Sequence, residues 1–250
     1  PHPERRHGRF GRGGKGREVG RRSGMTLLRR AALVLLVIAA LPLVLSVLYA
    51  VINPVSTLML WRWVQGERVE RIWTPLADMS PVLVRTVVAS EDAGYCRHWG
   101  VDPGEIRAAI EKADDDIGEA RGASTIPMQV AKNLFLWNSR SFVRKAIELP
   151  LSLWLDLVLT KRRLLEIYLN IAEWGPDGEF GVEAGARRAF RKGADEMNPS
   201  QAALLAVMLP NPHRRDAGRP GPGLRRLAGG LETRTVKEGP DIVDCLGLGR

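Results

Sequence analysis

The chain has little cysteine: only Cys96 and Cys245 occur in 250 residues, and two thiols so far apart make no metal site by spacing. An oxidising compartment would permit a bond between them, yet nothing in the sequence brings them together, and two unpaired thiols are an equal alternative. Histidine is also scarce. His2, His7, His98 and His213 are scattered, and neither H-E-x-x-H nor C-x-x-C is present, so zinc chemistry is not expected. No S-x-x-K occurs, and the length allows one catalytic domain plus an appendage, which excludes a transpeptidase domain. A net excess of basic charge is missing from most of the chain. Of the net charge of +9, residues 1–30 supply +8 through ten Lys/Arg against two Glu, leaving about +1 for everything else. With no basic field over the body, no nucleic-acid partner is expected.

What is present begins with an apolar run. Ala31 to Ile52 holds no charge, and its length suits one bilayer crossing. A cleaved secretory signal would have a shorter apolar stretch with a small-residue cleavage site close behind, so an uncleaved anchor is the preferred reading. Ten basic residues precede the run and none follows until Arg62, which orients the N-terminus to the cytoplasm and the body outside the inner membrane. Residues 1–24, rich in Gly, Arg and Lys, read as a disordered arm that can touch anionic headgroups. Gly11 to Gly16 is not a phosphate-binding loop, because no strand precedes it and no Ser or Thr follows Lys15.

Beyond the anchor the pattern is helical. Asp102-Pro103-Gly104-Glu105 combines an N-cap, a first-turn proline and an early acidic residue, and Asn198-Pro199-Ser200-Gln201 repeats the logic. Ser141 is placed to cap a segment in which Phe142, Ile147, Leu151, Trp154 and Leu155 recur at helical spacing, and Leu164 to Ile171 forms another. Pro150 predicts a kink or a break just after Glu148. No long period-two alternation occurs, so a mainly α domain is expected, with a small hairpin near Arg68 to Thr74.

Three clusters can carry chemistry. Glu91-Asp92 ends the apolar stretch Val82 to Ala89 and is followed by His98 and Gly100-Val101-Asp102; desolvated carboxylates there would resist ionisation, although a solvated helix end has the same composition. Gly122 to Gln129, with Ser124 and Thr125, offers small and hydroxylated residues ahead of Lys132-Asn133. Arg144 and Lys145 lie four and three residues from Glu148 on one helical face, a spacing that on a surface gives only a weak ion pair. With Lys132, Arg140 and Lys161 they form a cationic group able to neutralise a phosphate-type leaving group.

Taken together, from about Ile72 to Pro212, these blocks resemble the monofunctional biosynthetic peptidoglycan transglycosylases, relatives of the glycosyltransferase module of bifunctional penicillin-binding proteins. Glu91-Asp92 with His98 to Asp102 resembles the family's first motif, Gly122 to Gln129 with Lys132 to Leu136 the second, Arg144-Lys145-x-x-Glu148 the third, and Lys161 to Asn170 the fourth; Gly181 to Ala184 and Ala202 to Pro212 continue the likeness. Two departures stand out. Pro127-Met128 replaces the usual Thr or Ser followed by Gln, and no Phe stands near Tyr95-Cys96.

The resemblance implies a lysozyme-like helical glycosyltransferase domain over residues 53–250, after a basic cytoplasmic arm at 1–30 and one transmembrane helix at 31–52. It implies attack by the 4-hydroxyl of lipid II on the anomeric carbon of a nascent glycan chain, expelling undecaprenyl pyrophosphate with inversion. Glu91 is the implied general base and Glu148 the second catalytic carboxylate. Asp92, Ser124, Thr125, Gln129, Lys132, Arg140, Arg144, Lys145 and Lys161 are the implied substrate contacts. No cofactor is fixed, and a divalent cation such as Mg2+ or Mn2+ stays open. Membrane lipids and cell-division or cell-wall synthesis proteins are the expected partners. Two rivals share the composition: a lysozyme-like enzyme that cleaves glycan, which would not need the cationic group, and an idle scaffold.

Overall fold

Most of the uncharged run is helical, and the helix reaches further back than the apolar residues do. The structure is a computed structural model and describes residues 16–112, 124–137, 139 and 141–248. Its first helix, α1 (Gly16–Leu48), starts inside the arm expected to be disordered. Helix propagation explains the difference: once the apolar run has nucleated a helix, each added residue gains a backbone bond at little cost. Residues Leu27–Leu48 are long and apolar enough to cross a membrane, roughly 33 Å at 1.5 Å per residue. Leu33 to Ile38 are all exposed, as a lipid-facing surface requires. The helix stops at Leu48, and residues 49–52 turn out of it through short backbone bonds such as Ile52 N–H to Leu48 O.

Pro42 divides the chain into two units, and the second, from Leu43 onward, holds the helices that build the site. α2 (Thr57–Val64) is capped by Ser56, whose hydroxyl accepts from Met59 N–H at 3.2 Å. α3 (Pro81–Glu91) starts on a proline whose missing N–H belongs to the unpaired first turn anyway. Asp102 caps α4 (Pro103–Lys112) through bonds from the N–H groups of Gly104 and Glu105 at 2.9 and 3.1 Å. α5 (Ile126–Phe135), α6 (Phe142–Val158) and α7 (Lys161–Ile171) follow. Then come α8 (Val182–Phe190), α9 (Pro199–Met208) and α10 (Pro222–Glu238). α9 carries the reciprocal box the sequence announces: Asn198 accepts from Gln201 N–H at 2.9 Å, and Gln201 accepts from Asn198 N–H at 3.3 Å.

Two expectations change, and the break weighed at Pro150 does not occur. Ser141 takes the N-cap position of α6, but its side chain makes no cap bond. Pro150 does not split α6, which stays one helix because an interior proline removes only one bond and Leu151 and Leu155 remain buried beyond it. The hairpin near Arg68 to Thr74 is replaced by a parallel ladder, β1 (Glu70–Arg71) beside β2 (Glu179–Phe180). Two-residue strands are too short to show alternation, and the partner lies far along the chain.

The core forms around α3, whose Leu83, Val84, Val87 and Val88 are fully buried between α9 and α10. α5 packs on α6 and α7. Cys96 and Cys245 form a disulfide with Cα atoms 5.6 Å apart. This packing brings the end of α3 and the facing sides of α5, α6 and α7 to one place.

Candidate active site

Asp92 closes α3, its N–H returning to Val88 O at 2.8 Å, and its carboxylate organises the turn that follows. His98 Nε2 lies 2.8 and 3.0 Å from the two Asp92 oxygens, and Ile126 N–H donates to Asp92 Oδ2 at 2.9 Å. The buried carboxylate therefore joins the first motif to the start of α5. Thr125 Oγ1 donates to Gly100 O at 2.6 Å and accepts from Met128 N–H as the α5 cap. Gly100 has φ +70°, and a Cβ there would lie 2.6 Å from Ser152 O on α6. Only glycine lets this turn lie on that helix.

Lys161 completes the same scaffold from α7, with its ammonium 2.7 Å from His98 O, 2.8 Å from Asp156 and 4.8 Å from the centre of the Tyr95 ring. The Tyr95 hydroxyl donates to Lys161 O at 2.7 Å. The Tyr95 hydroxyl thus adds a bond to the scaffold that a phenylalanine could not make. Pro127 is similarly benign, since it falls in the first turn of α5 where no helical N–H partner is lost, and Met128 is fully buried.

The candidate catalytic groups stand on this frame. Gln129 Nε2 donates to Glu91 Oε2 at 3.0 Å, and the Tyr168 hydroxyl donates to Gln129 Oε1 at 3.1 Å. Burial pushes the Glu91 carboxyl above the usual range, while bonds from Gln129 and Ser90 and the charge of Lys132 oppose that rise. Burial pushes the Tyr168 phenol well up, and the negative charges of Glu91 and Asp92 add to the effect, so it stays a hydrogen-bond donor. Lys132 is pulled below the usual lysine range by burial, with Glu148 and Glu91 favouring its charged form and Arg144 and Lys145 opposing it. Lys132 therefore feels both carboxylates.

Glu148 is 2% exposed, and each of its oxygens takes one cation: Lys145 Nζ at 2.8 Å and the Arg144 guanidinium. Lys145 also donates to Ser124 Oγ at 2.9 Å, tying the third motif to the second. Arg140, Gly122 and Ala123 lie outside the described residues. Among the described residues no three His, Cys, Asp or Glu side chains gather as a metal site needs.

Gln129 and Glu91, bonded to each other, line two different cavities. A cleft of about 820 Å³ is lined by Gln129, Lys132 and Tyr168, with Trp61, Trp137 and His213 among its other walls. A smaller cavity of about 230 Å³ holds Glu91 with Ser124, Thr125, Asp102, Glu105 and Arg234. A carboxylate with raised proton affinity thus lines the smaller cavity, bonded to a wall residue of the larger one and close to the charge of Lys132.

The sequence profile of the family described as Transglycosylase matches residues 59–226, which include all of these groups except Arg234. The chain belongs to the transglycosylase family. It is 56% identical over 202 residues to the biosynthetic peptidoglycan transglycosylase of Rhodopseudomonas palustris (strain HaA2), a stretch covering 81% of this chain and 89% of that protein. The protein of the same name from Nitrobacter hamburgensis is 56% identical over 207 residues, covering 82% and 88%. That of Rhizobium johnstonii is 54% identical over 223 residues, covering 88% and 89%. The mainly α, lysozyme-like architecture and the glycosyltransferase activity expected from the sequence follow for this transglycosylase.

The structure groups the site residues of the transglycosylase into two sets. Glu91, Gln129, Lys132, Arg144, Lys145, Glu148 and Ser124 form one connected constellation. Asp92, Thr125 and Lys161 are engaged with backbone groups and acidic or imidazole partners beneath it. Tyr168 and Arg234 were not singled out from the sequence. A signal for Tyr168 existed, since it stands two helical turns from Lys161 on a helix whose face meets α5.

Proposed function

We propose that the chain polymerises lipid II into β-1,4-linked peptidoglycan strands, releasing undecaprenyl pyrophosphate with inversion at the anomeric carbon. The single observation that carries this reading is Glu91 in the wall of one cavity, bonded to Gln129 in the wall of another, with the charge of Lys132 beside it. A sugar hydroxyl is a weak nucleophile, so its proton must be taken as the new carbon–oxygen bond forms; Glu91, with its proton affinity raised by burial, suits that task. As that bond forms, the bond from the anomeric carbon to the pyrophosphate oxygen breaks, and its electron pair leaves with the phosphate. Lys132, Arg144 and Lys145 face that growing charge, with Glu148 holding the latter two in place. Attack and departure on opposite sides of the anomeric carbon give inversion.

The apolar helix fits a lipid-linked substrate, and its flanking charge favours an inner-membrane protein with a cytoplasmic N-terminus and a periplasmic catalytic unit. The disulfide supports the same placement, because such bonds persist in oxidising compartments. The decisive experiment is incubation of the purified protein with lipid II. Polymer that Glu91→Gln fails to make is the expected result; glycan fragments from preformed strands would favour a lytic enzyme, and no product would favour a scaffold.

A further inference from the structure

Ala89 and Cys96 bracket Glu91, and both are held by residues beyond 226, where the family match ends. Arg234 on α10 donates through Nη2 to Ala89 O at 2.6 Å. That carbonyl belongs to the last turn of α3, where helical carbonyls have no partner in their own helix. Its neighbour Val88 O is taken by Asp92 N–H, so Arg234 supplies the next cap from outside. A guanidinium at a helix C-terminus also meets the negative end of the helix dipole. On the other side of Glu91, Cys96 is bonded to Cys245 in the turn Pro240–Leu246. That turn is itself fixed, with Ile242, Val243 and Leu246 buried and Leu246 O accepting from Arg162 at 2.8 Å.

We infer that α10 and the turn after it clamp the segment carrying Glu91, with Arg234 as a positioning residue for the base. This rests on the reading of Glu91 given above. Arg234 lines the smaller cavity, but its Nη2 is committed to Ala89 O, so it acts through the helix end. Ala228, Leu231 and Thr235 anchor α10 against α3 and α9, which turns a half-exposed side chain into a fixed strut. A base displaced by a fraction of an ångström loses alignment with the attacking hydroxyl while substrate still binds.

The test uses the full chain in detergent with lipid II. Wild-type protein that makes no polymer would sink the reading of Glu91 itself; the clamp is judged only against active wild type. Arg234→Ala is expected to lower kcat about tenfold, the scale of one charge-assisted hydrogen bond, with KM for lipid II unchanged within about twofold. Arg234→Lys should recover part of the loss, because an ammonium can reach one carbonyl. Arg226→Ala, on an exposed part of α10, should keep wild-type kcat. The Cys96→Ser, Cys245→Ser double variant should lower kcat in the same direction. Wild-type kcat in Arg234→Ala, or a loss carried only by KM, overturns the clamp. Should Arg234→Ala not fold, Arg234→Lys and the double variant decide it, and wild-type kcat in both overturns it.

Discussion

Gln129 donates its amide to Glu91 at 3.0 Å, and it does so one way round because the Tyr168 hydroxyl holds the amide oxygen at 3.1 Å. The phenol thus selects the orientation in which Glu91 faces a donor. Removing the hydroxyl lets the amide turn and present its oxygen to a carboxylate. Tyr168→Phe should lower kcat about three- to tenfold, the range of one neutral hydrogen bond. It should also move the acid limb of the pH profile upward, because the ionised form of Glu91 loses a donor. An unchanged limb would show that Gln129 keeps its orientation without Tyr168.

The pH profile of the wild type follows from two opposed shifts. On the proposed mechanism activity needs Glu91 ionised, so kcat/KM should fall on the acid side at a pH above the ordinary glutamate value of about 4.3. It needs Lys132 charged, so the basic side should fall below the ordinary lysine value of about 10.4. Stability runs the other way: with a folded pKa above the unfolded one, ionised Glu91 costs stability fully above the folded pKa and nothing below the unfolded value. Glu91→Gln should therefore melt higher than wild type at neutral pH, with the gap closing on acidification. A gap that widens towards low pH would contradict the shift.

Lys145 makes one bond to Glu148 and one to Ser124, whereas Ser124 contributes only the latter. Lys145→Ala should cost roughly a hundredfold in turnover, as expected when one preorganised electrostatic partner is lost, and Ser124→Ala much less. Steady-state polymerisation of lipid II measures both. Near wild-type turnover in Lys145→Ala would reduce the group to a surface ion pair.

Gly100→Ala tests the turn between the first motif and α6. A methyl group at φ +70° and 2.6 Å from Ser152 O should destabilise the domain by about 2–4 kcal/mol. Urea unfolding followed by circular dichroism reads the loss. Thr125 accepts its share of the damage, because its hydroxyl donates to Gly100 O.

The orientation of the anchor is tested by fusing alkaline phosphatase after Arg250. Activity of the fusion is expected, since that enzyme folds only where disulfides form. An inactive fusion, or a mature protein beginning after the apolar stretch, would refute the placement.

Local signals were read directly from the sequence: the caps at Asp102 and Asn198, the apolar helix, and the order of the motif blocks. Each is written along the chain itself, in neighbouring residues, in one continuous run or in the order of blocks. Pairings across the fold were not legible in this way. Asp92 meets Ile126 N–H across 34 positions, Tyr168 meets Gln129 across 39, and Cys245 meets Cys96 across 149. No periodicity encodes such meetings, because they depend on how α3, α5, α7 and α10 pack. The parallel ladder of Glu70–Arg71 with Glu179–Phe180 failed to register for the same reason. Resemblance supplied roles for Glu91 and Glu148, and geometry supplied the partners that hold them.

The bond between Cys96 and Cys245 makes a covalent ring of the intervening chain. Glu91 lies just outside the ring, on the side of the anchor, and Glu148 lies within it. One proteolytic nick in the ring therefore opens a loop without releasing a fragment: after a cut between Cys96 and Glu148, the piece bearing Glu148 stays tethered to the piece bearing Glu91 and the apolar helix. Intact and nicked molecules would migrate alike until a reductant parts them.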